Sequence, residues 1–511
     1  MKQNTAVLRG LNDIRASFIT ESEIPAAASI VARIKEAREE NSFRGRWRRV
    51  TSSGWFVAAV CALVAGGTLA GIVWAGQNAP GTVDPVGSSP DATEAATSET
   101  ETTPVILYTE GLEFAPVEGE EGFCAVSGIG SATDRVLRIP ETSPDGLTVK
   151  YIGEYAFRGN TDITEVILPD TVEKIQSYAF RECVSLKKVT VGENFQEVNA
   201  QAFYGCISLS DINLTKQHSV ITYAMHYTPW LEKQTEEFVI YNGHLIYYNG
   251  PGGDVVIPEG VVHVEGGSFE NNQTVTSVTF PDTCVYIREG AFSACYSLTR
   301  VSAPPSLTYL GSGALGWCRS LETVDLPGVE IIAYRAFKEC TSLKQIDLSK
   351  TRIIYQEAFE GCTSLSSVTL GENQIAFLEK AFRNTALTEL VIPPSIQRVG
   401  VSSLADCPKL THVETSAEFV EDNCFENCPQ LREIVLKDGV KVIGNDIFKK
   451  CAKLDRLTIP ATVTEIGTVT SIPSAKLVIE YEGTAEDWAN IQMGEQTAAR
   501  LLPYVHFATA E

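Results

Sequence analysis

SYAFRECVSLKKVTV, residues 177–191, returns as EAFEGCTSLSSVTL at 357–370 and as IFKKCAKLDRLTIP at 447–460. Aligned on the residue after Ala, the anchors fall at Phe157, Phe180, Phe203, Phe269, Phe292, Leu315, Phe337, Phe359, Phe382, Leu404, Phe425 and Phe448. Successive steps run 21 to 23 residues, except one of 66, which is three times 22. A fixed period of this length, with the pattern AFxxCxSLxxVxLPxxVxxI inside each unit, is the signature of a solenoid. In Leu-x-x-Val-x-Leu the last two apolar residues lie two apart, so they share the inner face of a short strand while their neighbours point out. The frequent Pro ends that strand. Val-x-x-Ile reads as a second extended piece, and Ala-Phe-x-x-Cys as a helical turn that drops Phe into the interior. No coil closes a core alone; stacking at about 4.8 Å per strand aligns Phe on Phe and Leu on Leu.

The 66-residue step contains Phe238–Tyr241 and His244–Tyr248 around Asn242-Gly243, a strong hairpin signal because both turn positions accept positive φ. The reading is a hairpin protruding from the solenoid wall, within an interruption at about 215–255. Near the end, Thr484-Ala-Glu-Asp487 has the form of a helix capping box, and the helix carrying Trp488 is expected to plug the last coil.

These residues resemble the BspA-like leucine-rich-repeat proteins, bacterial surface proteins. The likeness covers roughly residues 108–490 and includes the entry segment GLEFAPVEGEEGFCAVSGIGSATDRVLRIP, the interruption from Thr228-Pro229-Trp230-Leu231 through FVIYNGHLIYYNGPGGDVVIPEGV, and the closing YEGTAEDWANI. The resemblance implies a right-handed solenoid, surface display, and adhesion or protein binding, with no shared catalytic centre. Leu315 and Leu404 in place of Phe, and Asn272 and Thr385 in place of Cys, depart from the pattern as tolerable core exchanges.

Ahead of the repeats, WFVAAVCALVAGGTLAGIVWA from Trp55 to Ala75 carries no charge. At a rise of about 1.5 Å per residue it is long enough to cross a hydrocarbon layer of about 30 Å. Arg44, Arg46, Arg48 and Arg49 precede it, and no Lys or Arg follows until Arg135, which places the N-terminus in the cytoplasm and the rest outside. A cleaved signal peptide is the rival reading, disfavoured by the length of the preceding segment. The expected organisation is therefore a cytoplasmic segment over 1–53 with a short juxtamembrane helix, a transmembrane helix over 54–76, a Pro/Thr/Ser/Glu stalk over 77–104, an N-terminal cap over 105–150, the solenoid over 151–475 and a C-terminal cap over 476–511. The fold class is mainly β with short helical turns.

Residues 1–50 carry ten Lys/Arg against six Asp/Glu, whereas the whole chain has a formal net charge of −23. The body after the span is thus strongly acidic and excludes nucleic acid, whose phosphates need clustered cations. Nine cysteines (183, 206, 295, 318, 340, 362, 407, 428 and 451) share one repeat position, which reads as a ladder of small buried thiols rather than disulfides or metal. No His-x-x-x-His, zinc-spaced cluster, nucleophile elbow, phosphate loop or calcium loop is present, so no catalytic residue, cofactor or metal is expected.

Function is expected on the outward positions of the strands. One column includes Lys188, Asp211, Arg300, Thr323, Gln345 and His412, and the next Thr190, Asn213, Ser302, Asp325, Asp347 and Glu414. Mixed charges and small hydroxyls suit a polar protein or glycan ligand, although the same residues also suit a merely solvated strand face. Asp325 and Asp347 on consecutive coils are too few for a calcium site. The second candidate is the aromatic patch Tyr227, Trp230, Tyr241, His244 and Tyr247, with Tyr223, His226 and Tyr248 nearby, which equally suits an apolar base for the hairpin. The expectation is a single-pass, non-enzymatic surface protein for adhesion or recognition; the alternative is a signalling protein whose cytoplasmic helix reports ligand held by the solenoid.

Overall fold

The computed structural model describes residues 108–508. The expected cytoplasmic segment, membrane span and stalk lie outside the described residues, and among the described residues no helix is long and apolar enough to cross a membrane.

The repeat folds as its period dictates. Lys188–Thr190 lies parallel between Glu165–Ile167 and Asp211–Ile212, with Val166, Val189 and Ile212 in register and buried. After a corner, a two-residue strand such as Glu197–Val198 pairs in parallel with Lys174–Ile175 and Ser219–Val220. Beyond the interruption these short strands form one twelve-stranded sheet that begins with the hairpin and ends at Glu465–Ile466. The longer strands over the same stretch are divided among three sheets, with breaks after Thr323–Asp325 and after Ser367–Leu370.

The Ala-Phe-x-x-Cys segments are not helical, which corrects the sequence expectation. Each has two residues in the left-handed region, such as Tyr178 (φ 63°) and Glu182 (φ 63°), or Glu357 (φ 57°) and Gly361 (φ 79°). A right-handed helix cannot propagate through such positions. Instead alternate N–H groups reach the next coil: Tyr155 to the Ser177 carbonyl, Phe157 to Ala179, and Gly159 to Arg181. Each left-handed residue costs on the order of 1 kcal/mol, and the inter-coil hydrogen bonds it enables offset that cost.

Inside, the phenylalanines stack coil on coil. Phe157, Phe180 and Phe203 have centroids 5.0 and 5.3 Å apart, and Phe337, Phe359 and Phe382 have centroids 5.0 and 5.2 Å apart. Each buried ring contributes roughly 1.5–3 kcal/mol. The twelve cysteines within the described residues are free and buried. The repeat cysteines are more than small fillers: Cys183 donates its S–H to the Phe157 carbonyl at 3.0 Å, and Cys362 does so to Phe337 at 3.1 Å. Burial pushes the Cys183 thiol up to about 12, so it stays a donor. Where the ladder lacks Cys, Thr385 donates to the Phe382 carbonyl, and the Asn272 Oδ1 accepts from the Thr274 and Val275 N–H groups.

The interruption keeps the period. Met225 stands one step after Phe203, buried beside Ala224, and the Tyr248 ring stacks on Phe269 at 4.8 Å. The hairpin does not protrude, which is a second correction. His244–Tyr248 pairs with Phe238–Tyr241 on one side and in parallel with His263–Val264 on the other. Its side chains face two cores, with a bulge at Ile246 shifting the alternation: Leu245 and Tyr248 join the cluster that runs to the C-terminal end, whereas Ile246, Val239 and Tyr241 join the cluster beginning at Leu112. The Asn-Gly turn is present, with φ 47° at Asn242 and 77° at Gly243. A hairpin apolar on both faces is stable only when both are covered, so it partitions the solenoid.

At the start, the antiparallel pair Glu113–Pro116 and Phe123–Gly128 joins Thr148–Ile152 and covers the end of a sheet. At the other end helix α1, Ala485–Asn490, begins with the expected capping box between Thr484 and Asp487. Trp488 on α1 is buried against Tyr481 and Phe507, as the plug reading anticipated.

Candidate functional site

The two outward columns are cross-strand ladders. Lys188 stands opposite Asp211, Arg300 opposite Thr323, Ser302 opposite Asp325, and His412 opposite Glu433. Lys188, Asp211, Asn213, Arg300, Thr323, Asp325, Gln345 and Asp347 are exposed; Thr190, Ser302, His412 and Glu414 are half-buried. Much of the face is already committed internally. Lys188 lies 3.6 Å from Glu165, His412 is 3.1 Å from Glu433, Glu414 pairs with Lys437, and both Asn213 amide groups bond the Val191 backbone. In the middle, Arg300, Thr323, Asp325 and Gln345 make no side-chain hydrogen bond or ion pair among the described residues. Asp325 and Asp347 are not brought together as ladder partners: their strands belong to different sheets, and the Asp347 carboxylate accepts from the Ser349 N–H.

The aromatic patch divides. Trp230 and Tyr241 are buried and pack on each other at 5.6 Å, so they leave the surface and serve as the apolar base of the hairpin. Tyr227 is 60% exposed, and Tyr247 is half-buried beside His226. Tyr227 stands edge-on to Tyr204 at 5.1 Å. The Tyr223 ring lies over a floor of three glycines: a Cβ at Gly267 would come within 2.4 Å of it, and one at Gly290 within 2.3 Å of its hydroxyl. Burial together with the Glu270 charge pushes Glu289 up to about 7.

His244 belongs to a polar latch that single-sequence reading missed. Its Nδ1 lies 2.7 Å from the Glu265 carboxylate, whose other oxygen accepts from both the N–H and the hydroxyl of Thr222 at 2.7 Å. Glu265 is 1% exposed. Burial pushes its pKa up, yet the His244 bond, the Arg288 charge and Thr222 outweigh that and hold it at about 2. The latch ties Thr222, before the hairpin, to Glu265, after it, across 43 residues. The His263 ring stacks on both His244 (4.6 Å, 8°) and Tyr286 (5.2 Å, 1°), and burial drives its pKa down to about 4.

The ligand atoms of His244, His263 and Glu265 lie within 4.8 Å of one another, but the arrangement does not fit a metal. A metal sits near the plane of each imidazole that binds it, and two rings stacked face to face cannot share one in-plane ion. Arg288, 3.9 Å from Glu265 and 3.4 Å from His263 Nδ1, already supplies positive charge there.

Parallel strands stacked at a period of about 22 residues around aligned Phe and Leu define a leucine-rich-repeat solenoid. The BspA type leucine-rich repeat region matches in six copies, over residues 142–236, 244–365, 330–421 and 352–470, and the chain belongs to that family. Among solved structures it is similar to a leucine-rich cell surface protein of Faecalibacterium prausnitzii, at 24% identity over 77% of this chain and 99% of that one, with a TM-score of 0.34. It is also similar to a leucine-rich repeat protein of Bacteroides ovatus, at 19% identity over 79% and 100%, with a TM-score of 0.34. The pneumococcal vaccine antigen PcpA is a more distant likeness, at 12% identity over 79% and 98%, with a TM-score of 0.22. No curated protein sequence matches.

Proposed function

We propose that this chain is a membrane-anchored extracellular binding protein that recognises a protein or glycan through the outward strand face and catalyses no reaction. The observation that carries the reading is the central stretch of that face. Arg300, Thr323, Asp325 and Gln345 are exposed on consecutive strands and make no side-chain hydrogen bond or ion pair among the described residues. Polar groups left uncommitted on a rigid repeat surface can give their hydrogen bonds to a partner without first breaking internal ones. Membership of a surface-protein family and the uncharged segment 55–75 support the location. The test is capture of immobilised mucin, matrix proteins and glycans by the full-length protein in detergent. The reading requires that Arg300→Ala, Asp325→Ala and Gln345→Ala together abolish capture while the melting temperature holds; retained capture by the triple variant overturns it.

A further inference from the structure

Each coil turns a corner between its longer and its short strand, and one residue plugs that corner, three positions before the buried residue that ends the short strand. Val172, Phe195, Val261, Leu307, Ile396 and Val440 are such plugs, all nearly or fully buried, and even Gln374 in this position is 1% exposed. Two consecutive coils lack the plug. Gln217 stands three before Val220, and Asn242, the first residue of the hairpin turn, stands three before Leu245, which pairs in register with Val264; both are exposed. With two plugs missing in succession the wall opens into a cleft of about 680 Å³.

We propose that this cleft is a binding site for a neutral saccharide. Its floor is apolar, formed by Val191 and the Phe195 ring, with the His218 ring edge-on to Phe195 at 5.6 Å. Its rim is hydrogen-bonding. Gln196 and Gln217 make no side-chain hydrogen bond among the described residues, so each offers both a donor and an acceptor. The His218 Nδ1 accepts the Thr215 N–H at 3.1 Å, which puts the ring proton on Nε2 and makes that nitrogen a donor. Burial lowers the His218 pKa, so the ring stays neutral. Glu193 supplies a free carboxylate acceptor, the Glu197 carboxylate is shared with Lys174 at 3.8 Å, and no Lys or Arg lines the cleft itself. The nearby Lys216 is turned away, bonded to Glu236 at 2.6 Å and lying over the Tyr241 ring at 4.3 Å. A small apolar floor beneath an uncharged and acidic rim matches a ring with C–H faces and several hydroxyls, and it repels carboxylated or phosphorylated ligands.

The site goes beyond the strand-face reading and is tested separately from it. Full-length protein in detergent is titrated with lactose, maltose and N,N′-diacetylchitobiose, and with 3′-sialyllactose, by saturation-transfer NMR and calorimetry. At least one neutral sugar should bind and the sialylated one should not. Gln217→Leu, which restores the plug, should weaken that binding at least about tenfold, as should the exposed substitution Glu193→Lys, chosen because it leaves the core untouched. The Arg300/Asp325/Gln345 triple variant should bind the sugar unchanged, which separates failure of this site from failure of the strand face. Absence of binding by all three neutral sugars, equal binding of 3′-sialyllactose, or unaltered binding by both cleft variants overturns the proposal.

Discussion

From Phe269 to Ile466 the coils close on one plan, with buried rings or leucines, aliphatic side chains and, except at Asn272 and Thr385, thiols that donate to the coil before. Between Thr222 and Gly290 the chain uses other means: a carboxylate latch, stacked imidazoles, a tyrosine on glycine, and a hairpin separating two cores. Four of the six histidines, His218, His226, His244 and His263, lie in or beside that junction. The regular stack is held mainly by burial, with titrating groups confined to ion pairs such as Glu357 with Arg335 and Lys338, whereas the junction also depends on buried imidazoles that titrate at milder acidity. The comparison therefore predicts where the molecule is robust and where it can be opened.

The heaviest damage should come from within the regular stack. Phe359→Asp removes a fully buried ring between two others and buries an unpaired carboxylate in its place. The cost is on the order of 5 kcal/mol or more, and urea denaturation should show loss of the cooperative transition. A change below about 1 kcal/mol would mean that the stack does not couple its coils. At the junction, Glu265→Ala leaves the Thr222 N–H and hydroxyl without their buried acceptor and the Arg288 guanidinium without its counter-charge. That should cost roughly 3 kcal/mol. Limited proteolysis should then cut between residues 222 and 265 first; cleavage elsewhere would show that the latch does not hold this segment.

Acid distinguishes the two regions. Burial holds the His226 and His263 pKa values at about 4 in the folded chain, against roughly 6.5 for an unfolded imidazole. As pH falls from about 6.5 to about 4 the unfolded chain takes up these protons and the folded chain does not, so stability declines through that window. Glu265 acts lower. Its contribution is complete above the unfolded carboxylate value of about 4.3 and is lost as pH falls toward the folded value of about 2. His263→Phe keeps a ring between residues 244 and 286 and removes one titration, so the urea midpoint should fall less between pH 7 and pH 4.5 than in the parent. Identical slopes for the two proteins would refute the assignment.

The same contrast marks what a single sequence discloses. The aligned Phe and Cys columns, the inward and outward alternation of the strands, and the Thr484 capping box all follow from spacing, and the structure bears them out. The turn before each Cys was misread because Ala-Phe-x-x-Cys has helical composition, while the left-handed residues beside it, Tyr178 or Glu357, carry no compositional mark. The hairpin was misplaced because Asn-Gly fixes a turn but not what covers its strands. Met225 and Tyr248 went unseen as steps of the ladder because neither is Phe or Leu. The Glu265–Thr222 contact spans 43 residues and no local pattern carries it. The missing plugs at Gln217 and Asn242 left no clean signal, since Gln374 and Thr351 are polar at the same position and yet buried.

The mildest test concerns the meeting of the two regions at Gly267. This residue has φ +78°, and an added Cβ would come within 2.4 Å of the Tyr223 ring and 2.5 Å of the His226 Nε2. Gly267→Ala should cost about 1–3 kcal/mol, part from the left-handed backbone and part from the displaced ring. Tyr223→Ala in the same chain removes the clash with the ring, leaving that with His226, so the double variant should be less destabilised than the sum of the two single ones. Gly313 has the same left-handed conformation at φ +59° in the regular stack, with nothing within 4 Å of a Cβ built there. Gly313→Ala therefore reports the backbone cost alone, about 1 kcal/mol, and the difference between the two glycines measures how tightly Tyr223 seals the junction. Equal losses at the two positions would show that the ring yields freely and that the seal rests on the Glu265 latch alone.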